Sequence, residues 1–277
     1  MWAFRRSSDL LAAALGLWAG AACAGAPGRV VSMNLCTDQL ALMLAAPGQL
    51  VSVSSLAQDP MVSSMAAEAA GLPANHGLAE EIFLMKPDLV LAGTFTRPQT
   101  VDLLRRLGVR VELFAPETSL ADIRANILAM GAALGREPQA EALARQFEAD
   151  LAAVTEAVDR RPRAALYYAN GYTTGEQSLA GDILTAAGFR NIAAELGLPA
   201  GGVLALERLI LAQPEAIISG RRYPGRSRSE EILDHPALAA LRESAAAARI
   251  EDADWICGTP RVLRAIAGMV RLRRSIE

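Results

Sequence analysis

Glu80-Glu-Ile-Phe-Leu-Met-Lys-Pro87-Asp88-Leu-Val-Leu-Ala-Gly93 recurs 127 residues later (207 − 80) as Glu207-Arg-Leu-Ile-Leu-Ala-Gln-Pro214-Glu215-Ala-Ile-Ile-Ser-Gly220. Both copies run Glu, six residues, Pro, an acid, three apolar residues, one small residue, Gly. The Glu opens a short helical turn, which the Pro ends because it lacks an N–H and biases the residue before it away from αR. The apolar run closed by Gly has the pattern of a parallel strand covered on both faces. A unit built twice predicts two similar lobes. Because ligand sites in open α/β sheets lie beyond the carboxyl ends of the strands, the residues after each Gly become candidates: Thr94 to Arg97, and Arg221, Arg222 and Tyr223.

Outward from the repeat, strand and helix signals alternate. Arg29-Val-Val-Ser32 reads as a first strand, Asn34 to Leu44 as a helix with an apolar stripe at Leu40, Met43 and Leu44, and Gln49 to Ser54 as a second strand. The first copy of the repeat supplies a third strand, and Val109 to Phe114 a fourth. Ser119-Leu-Ala-Asp122 has capping-box spacing ahead of a helix to about Leu134. After Gly135-Arg-Glu-Pro138, apolar residues at Leu143, Phe147, Leu151, Val154 and Val158 describe a long helix that ends before Pro162. At twenty-odd residues it would form a rod of ~35 Å, a semi-rigid strut between lobes. Strand Arg163 to Tyr168, the loop to Gly175, a helix over 181–187, the second repeat and a terminal amphipathic helix make the second lobe. The expected fold is α/β: two doubly wound lobes with parallel-type sheets joined by one long helix, with a ligand cleft between them. The expected boundaries are 25–135, 136–162 and 163–277.

Residues 1–24 read as a cleaved export signal: Arg5 and Arg6, an apolar stretch from Leu10 to Ala22, and Ala22-Cys23-Ala24 as the cleavage site. Lipidation at Cys23 is the rival reading, although Gly20 stands where that signal wants a Leu-like residue. A periplasmic protein follows as the expectation, with cleavage near Ala24. The full chain carries a formal charge of −3, and this mild acidity gives no electrostatic reason to bind nucleic acid or an anionic membrane. The remaining cysteines, Cys36 and Cys257, fall near the expected cleft but in opposite lobes. In an oxidising compartment they could pair. Such a bridge would restrict hinge motion, and the sequence leaves their Cα separation open.

Taken together, the opening Arg29 to Met33, both repeats, the strut helix, the Tyr168 to Gly175 loop, His235-Pro236 and the Trp255 to Arg261 stretch resemble one family. It is that of the periplasmic substrate-binding proteins of ABC importers for iron complexes and siderophores, haem or cobalamin, the class with a helical backbone between lobes. The resemblance covers essentially the whole chain after residue 24. It implies a monomer that captures a metal chelate between its lobes and hands it to a dimeric ABC permease, with one surface Glu per lobe docking into basic pockets. Glu80 and Glu207 stand at those positions.

By position, the cleft would be lined by Met33, Asn34, Cys36, Phe95, Thr96 and Arg97 from the first lobe. The second would add Asn170, Tyr172, Arg221, Arg222, Tyr223 and Trp255. Aromatic faces with Arg forks suit a large, flat or anionic ligand. The pair Arg221 and Arg222 favours a ferric siderophore-like chelate narrowly over a corrinoid or haem. No resident cofactor is expected. His76 reads as a structural hydrogen-bonder, with an axial ligand to haem or cobalt as the alternative. His235 reads as a helix-start residue.

An enzyme is disfavoured. The chain has no Gly-x-Ser-x-Gly elbow, no His-Glu-x-x-His and no Gly-rich phosphate loop, and its two histidines leave little for general-base work. Free divalent metal would want several converging His and carboxylate ligands, and the two histidines lie far apart in the chain. A receptor that reports occupancy to a sensor remains a rival to delivery through a permease.

Overall fold

The computed structural model describes residues 25–222, 225 and 227–277. The expected export signal with Cys23, and also Tyr223 and Arg226, lie outside the described residues. The first lobe runs β1 (Val30–Ser32), α1 (Leu35–Leu44), β2 (Leu50–Ser54), α2 (Ala66–Ala69), β3 (Ala74–Asn75), α3 (Ala79–Leu84), β4 (Leu89–Gly93), α4 (Pro98–Arg106), β5 (Val111–Phe114) and α5 (Leu120–Leu134). Its strands are all parallel, in the order β3-β2-β1-β4-β5. The repeat therefore supplies the fourth strand rather than the third. Ala74–Asn75, two residues on the edge beside β2, is too short to leave a periodic signal.

The connecting helix α6 (Glu137–Val154) follows. The second lobe contains β6 (Arg163–Leu166), β7 (Tyr172–Thr173), α7 (Leu179–Ala186), β8 (Arg190–Asn191), α8 (Ile192–Glu195), β9 (Gly202–Val203), α9 (Leu206–Ala212), β10 (Ala216–Gly220), α10 (Pro236–Ser244), β11 (Ala246–Ile250) and α11 (Val262–Arg274). Its main sheet is parallel in the order β11-β10-β6-β8, and β7 with β9 forms a small antiparallel pair. The helix expected to reach Val158 stops at Val154, where Thr155 turns extended (φ −90°, ψ 147°). Its 18 residues span ~27 Å rather than ~35 Å.

The duplicated segment is duplicated in three dimensions. Leu89, Val90 and Leu91 pair with Val30, Val31 and Ser32; Ala216, Ile217 and Ile218 pair with Ala164, Ala165 and Leu166. The residue before each Pro takes the left-handed conformation, Lys86 at φ 49° and Gln213 at φ 44°, so each short helix ends in an abrupt turn. The acid after each Pro receives the backbone N–H that starts the neighbouring strand: Asp88 from Arg29 (2.9 Å), and Glu215 from Arg163 (2.9 Å). Those same arginines donate to the carbonyls that end the helices, Arg29 to Met85 (2.8 Å) and Arg163 to Ala212 (2.6 Å). The acid and the arginine thus satisfy groups that a helix stop would otherwise leave unpaired.

The two lobes share one core. A continuous apolar cluster includes Leu40 and Leu89 of the first lobe, Ile127 of α5, Phe147 of α6, and Leu166, Ile183 and Met269 of the second. Helix α6 packs along α5, and α11 packs on both α6 and α7, so the connecting helix is embedded rather than free-standing.

Asp38, in the first turn of α1, is wholly buried between that helix and β2. Burial pushes its carboxyl from 3.8 up to about 6, against hydrogen bonds from Ser32 and Ser54 that favour the charge. A folded-state pKa above the unfolded one means the folded protein takes up a proton first, so Asp38 costs stability above pH 6 and that cost fades as pH falls towards 4. The shift corresponds to roughly 3 kcal/mol. The hydrogen-bonded carboxylates of Glu215 and Glu195 lie below their usual 4.5, so their contribution is lost only at lower pH, as it falls through their folded values. Urea unfolding should therefore show stability rising between pH 7.5 and pH 5, a rise that Asp38→Asn reduces, the rest coming from Glu117 and Asp254, whose pKa values burial also raises. An unchanged slope in that variant would refute the assignment.

Candidate functional site

Strand order reverses between β1 and β4 in the first sheet and between β6 and β10 in the second, and such switch points are where open sheets hold ligands. In the first lobe the loop after β1 begins with Met33 and Asn34. Asn34 caps α1, its side chain accepting from Cys36 N (3.0 Å) and Thr37 N (3.4 Å). That fixed amide lies against Gly93, where an added Cβ would come within 3.2 Å of Nδ2. The conserved-in-repeat glycine is thus a close-approach position. Met33, Asn34, His76, Phe95, Thr96 and Arg97 line one concavity of ≈ 420 Å³, and Asn34, Cys36 and Phe95 enter a smaller one of ≈ 80 Å³ closed by Phe114 and Glu117. Phe95 is 88% exposed and lines both. His76 lies beside Glu81, with Nδ1 3.3 Å from Oε1.

In the second lobe Gly220 plays the same part: a Cβ there would sit 3.1 Å from Asp252 Oδ1 and 3.7 Å from Tyr168. Tyr168, Arg221, Glu230 and Asp252 line a concavity of ≈ 390 Å³. Arg221 pairs with Glu251 (2.9 Å) and Arg222 with Asp234 (2.7 Å), so neither is a free cation. The bridge to Asp234 also holds the Arg222 pKa above its usual value. Trp255 is only 8% exposed and packs edge-on against Tyr168, 5.9 Å between ring centres at 63°. It backs the wall rather than offering a face. Tyr172 is 46% exposed on β7, next to the exposed Asn170, whose φ of 55° is left-handed. Asn170, Tyr172, Arg222 and Trp255 line none of these three concavities. His235 does start a helix, accepting from Ala237 N (3.2 Å) at the head of α10.

Where the two walls meet, the sequence left one question open, and the structure answers it. Cys36 and Cys257 form a disulfide with Cα atoms 5.1 Å apart. Beside it Glu117 accepts from Gly258 N (3.2 Å), and a Cβ on Gly258 would lie 2.3 Å from Glu117 Cγ, so only glycine lets the lobes meet here. Burial pushes the Glu117 pKa up, while hydrogen bonds from Asn126 and Gly258 oppose the shift. Asp182, at the start of α7, accepts from Leu120 N (2.7 Å) at the start of α5, and Arg261 reaches Glu68 (3.5 Å). Glu117, Asp182 and Gly258 were not anticipated from sequence; the adjacency of Gly258 to Cys257 was the available signal. Glu80 and Glu207 are exposed in the first turns of α3 and α9.

A family model described as periplasmic binding protein matches residues 30–250. A cobalamin-binding protein of Halobacterium salinarum is 30% identical over 200 residues, 70% of this chain and 54% of its own, so the chain spans about half the length of the curated relatives it matches. Among solved structures, a periplasmic heme-binding protein from Roseiflexus sp. RS-1 superposes with TM-score 0.74 at 24% identity, covering 90% of this chain and 98% of its own. The vitamin B12 binding protein of Vibrio cholerae gives 0.66 at 22%, covering 90% and 98%. At these identities the structural likeness concerns the fold. Among the described residues no helix is long and apolar enough to cross a membrane.

Proposed function

Because the chain belongs to the periplasmic binding protein family, a family of ligand-binding transport proteins rather than enzymes, we propose that it captures a corrinoid between its lobes and delivers it to an ABC permease. The observation that carries the ligand class is that Arg221 and Arg222 each stand beside an acid, Glu251 and Asp234, which lowers the net positive charge this wall presents. The cation pair that favoured an anionic ferric chelate is therefore a weaker attraction than two unpaired arginines would be. What the first-lobe concavity does offer is apolar and flat: the exposed ring of Phe95. Aromatic faces of this kind suit the large, largely uncharged surface of a corrin ring. The cobalamin-binding relative supports the same class. A ferric chelate is kept as the second reading because Arg97, in the first-lobe concavity, has no acidic partner among the described residues.

Titration calorimetry with cyanocobalamin, haem and a ferric catecholate chelate separates these readings. Cyanocobalamin should bind one to one and the others at least about tenfold more weakly, ~1.4 kcal/mol. Preferential binding of the ferric chelate would reverse the assignment. Phe95→Ala removes an exposed aromatic with few internal contacts, so it should leave the melting temperature unchanged while weakening cyanocobalamin about tenfold. Unaltered affinity would remove Phe95 from the site.

A further inference from the structure

Four positions carry the same residue in both copies of the repeat: Glu80 and Glu207, Leu84 and Leu211, Pro87 and Pro214, Gly93 and Gly220. The fold accounts for two of these pairs. Each Pro follows the left-handed residue that stops its helix, and each Gly meets the end of the neighbouring strand. Two unlike pairs also have a role in the fold: Ile82 and Leu209 are buried, and Asp88 and Glu215 tie the strand starts together. Beyond the ordinary preference for an acid in a first helical turn, nothing in the packing calls for Glu80 with Leu84 or Glu207 with Leu211. Neither glutamate enters a hydrogen bond or salt bridge among the described residues, and the leucines are 78% and 82% exposed.

On each short helix the Glu and the Leu are four residues apart and so lie on the same face, one turn from each other. Single exposed apolar side chains are ordinary on protein surfaces. The same leucine, equally exposed, at the same step from the same exposed glutamate in both lobes is a pattern of two. A partner that reads both copies alike must present two like surfaces, each with a cation for the carboxylate and an apolar recess one helical turn away.

We infer that Leu84 and Leu211 are paired apolar anchors which, with Glu80 and Glu207, dock this protein onto the two like subunits of its permease. This rests on the permease reading under the proposed function and adds to it the residues that hold the complex once charge has oriented it. Charged rim contacts govern mainly encounter and salt dependence, whereas a side chain that fills a pocket governs dissociation. The leucines therefore set the complex lifetime and the glutamates its salt-sensitive association rate.

The test uses the whole protein and its permease in lipid nanodiscs, with association and dissociation followed by biolayer interferometry at two salt concentrations. Leu84→Ala and Leu211→Ala should each speed dissociation about tenfold, and the double variant more, with the salt dependence of association retained. Glu80→Gln with Glu207→Gln should slow association and flatten its salt dependence. If the leucine variants dissociate like the parent while the glutamate variant is impaired, the leucine inference fails and the docking reading stands. If neither pair matters, the docking reading itself fails. Should analytical ultracentrifugation show the parent chain dimerising and the double leucine variant monomeric, the anchors serve a second copy and the proposal is overturned.

Discussion

Replacing both bridging cysteines, Cys36→Ser with Cys257→Ser, should lower the unfolding free energy by ~3–5 kcal/mol. The size follows from the 221-residue separation, since cross-linking so long a loop removes much of the freedom of the unfolded chain. Urea midpoints of the parent with and without a reductant, compared with the double variant, measure it. Reduced parent and variant should coincide well below the oxidised parent; equal midpoints in all three would refute a stabilising role. The second effect is functional. The bridge lies between the walls of the candidate site, held alongside by the Glu117–Gly258 and Leu120–Asp182 contacts. Any opening of the cleft in the oxidised protein must pivot about that point. Without the bridge, the contacts left at this mouth of the cleft are those two hydrogen bonds, of ~1 kcal/mol each, and the exposed Arg261–Glu68 pair, while the shared core holds the lobes farther back. Ligand should then leave at least about tenfold faster from the double variant. A dissociation rate unchanged by loss of the bridge would mean that the cleft opens elsewhere.

The fold was readable where one short-range rule governs a segment. Pro87 and Pro214 stop helices wherever they stand, and Ser119 with Asp122 closes the expected capping box. Strands covered on both faces read as apolar runs, and both repeat strands are buried up to their glycines. Edge elements were lost for the opposite reason. Ala74–Asn75 is too short for periodicity, and in β11 only Ile250 is buried while its run Ala246 to Ala248 is made of the strongest helix former, so it carries no strand signal. The end of α6 was misplaced because Val158 continues the apolar spacing after the backbone has already turned extended at Thr155. The site divided in the same way. Strand-end logic brought Met33, Asn34, Phe95, Thr96 and Arg97 into one concavity. The state of Arg221 and Arg222 depends on Glu251 and Asp234, acids placed by the tertiary fold. A long-range ion pair has no local signature, so the sequence could name the arginines but not their pairing.

Substitution at the two kinds of acid in the repeat should have opposite consequences. Asp88 accepts from both Gly28 N and Arg29 N at 2.9 Å, and Glu215 accepts from Arg163 N. Removing either leaves a strand-start N–H without its protein partner. Each Ala variant should lose about 1–3 kcal/mol of stability. Because these ties lie in different lobes and share no partners, Asp88→Ala and Glu215→Ala should add. Their double variant, if still folded, should bind permease normally. Glu80→Ala with Glu207→Ala touches no hydrogen bond among the described residues, so it should melt like the parent while losing ligand delivery almost entirely in a reconstituted uptake assay. Crossing the two pairs makes the division decisive. If the Asp88 and Glu215 variants fail in delivery at full stability, or the Glu80 and Glu207 variants unfold, then the repeat does not separate a structural acid from a docking one. If each pair fails only in its own assay, one duplicated segment holds each lobe together through its second acid and presents that lobe to the partner through its first.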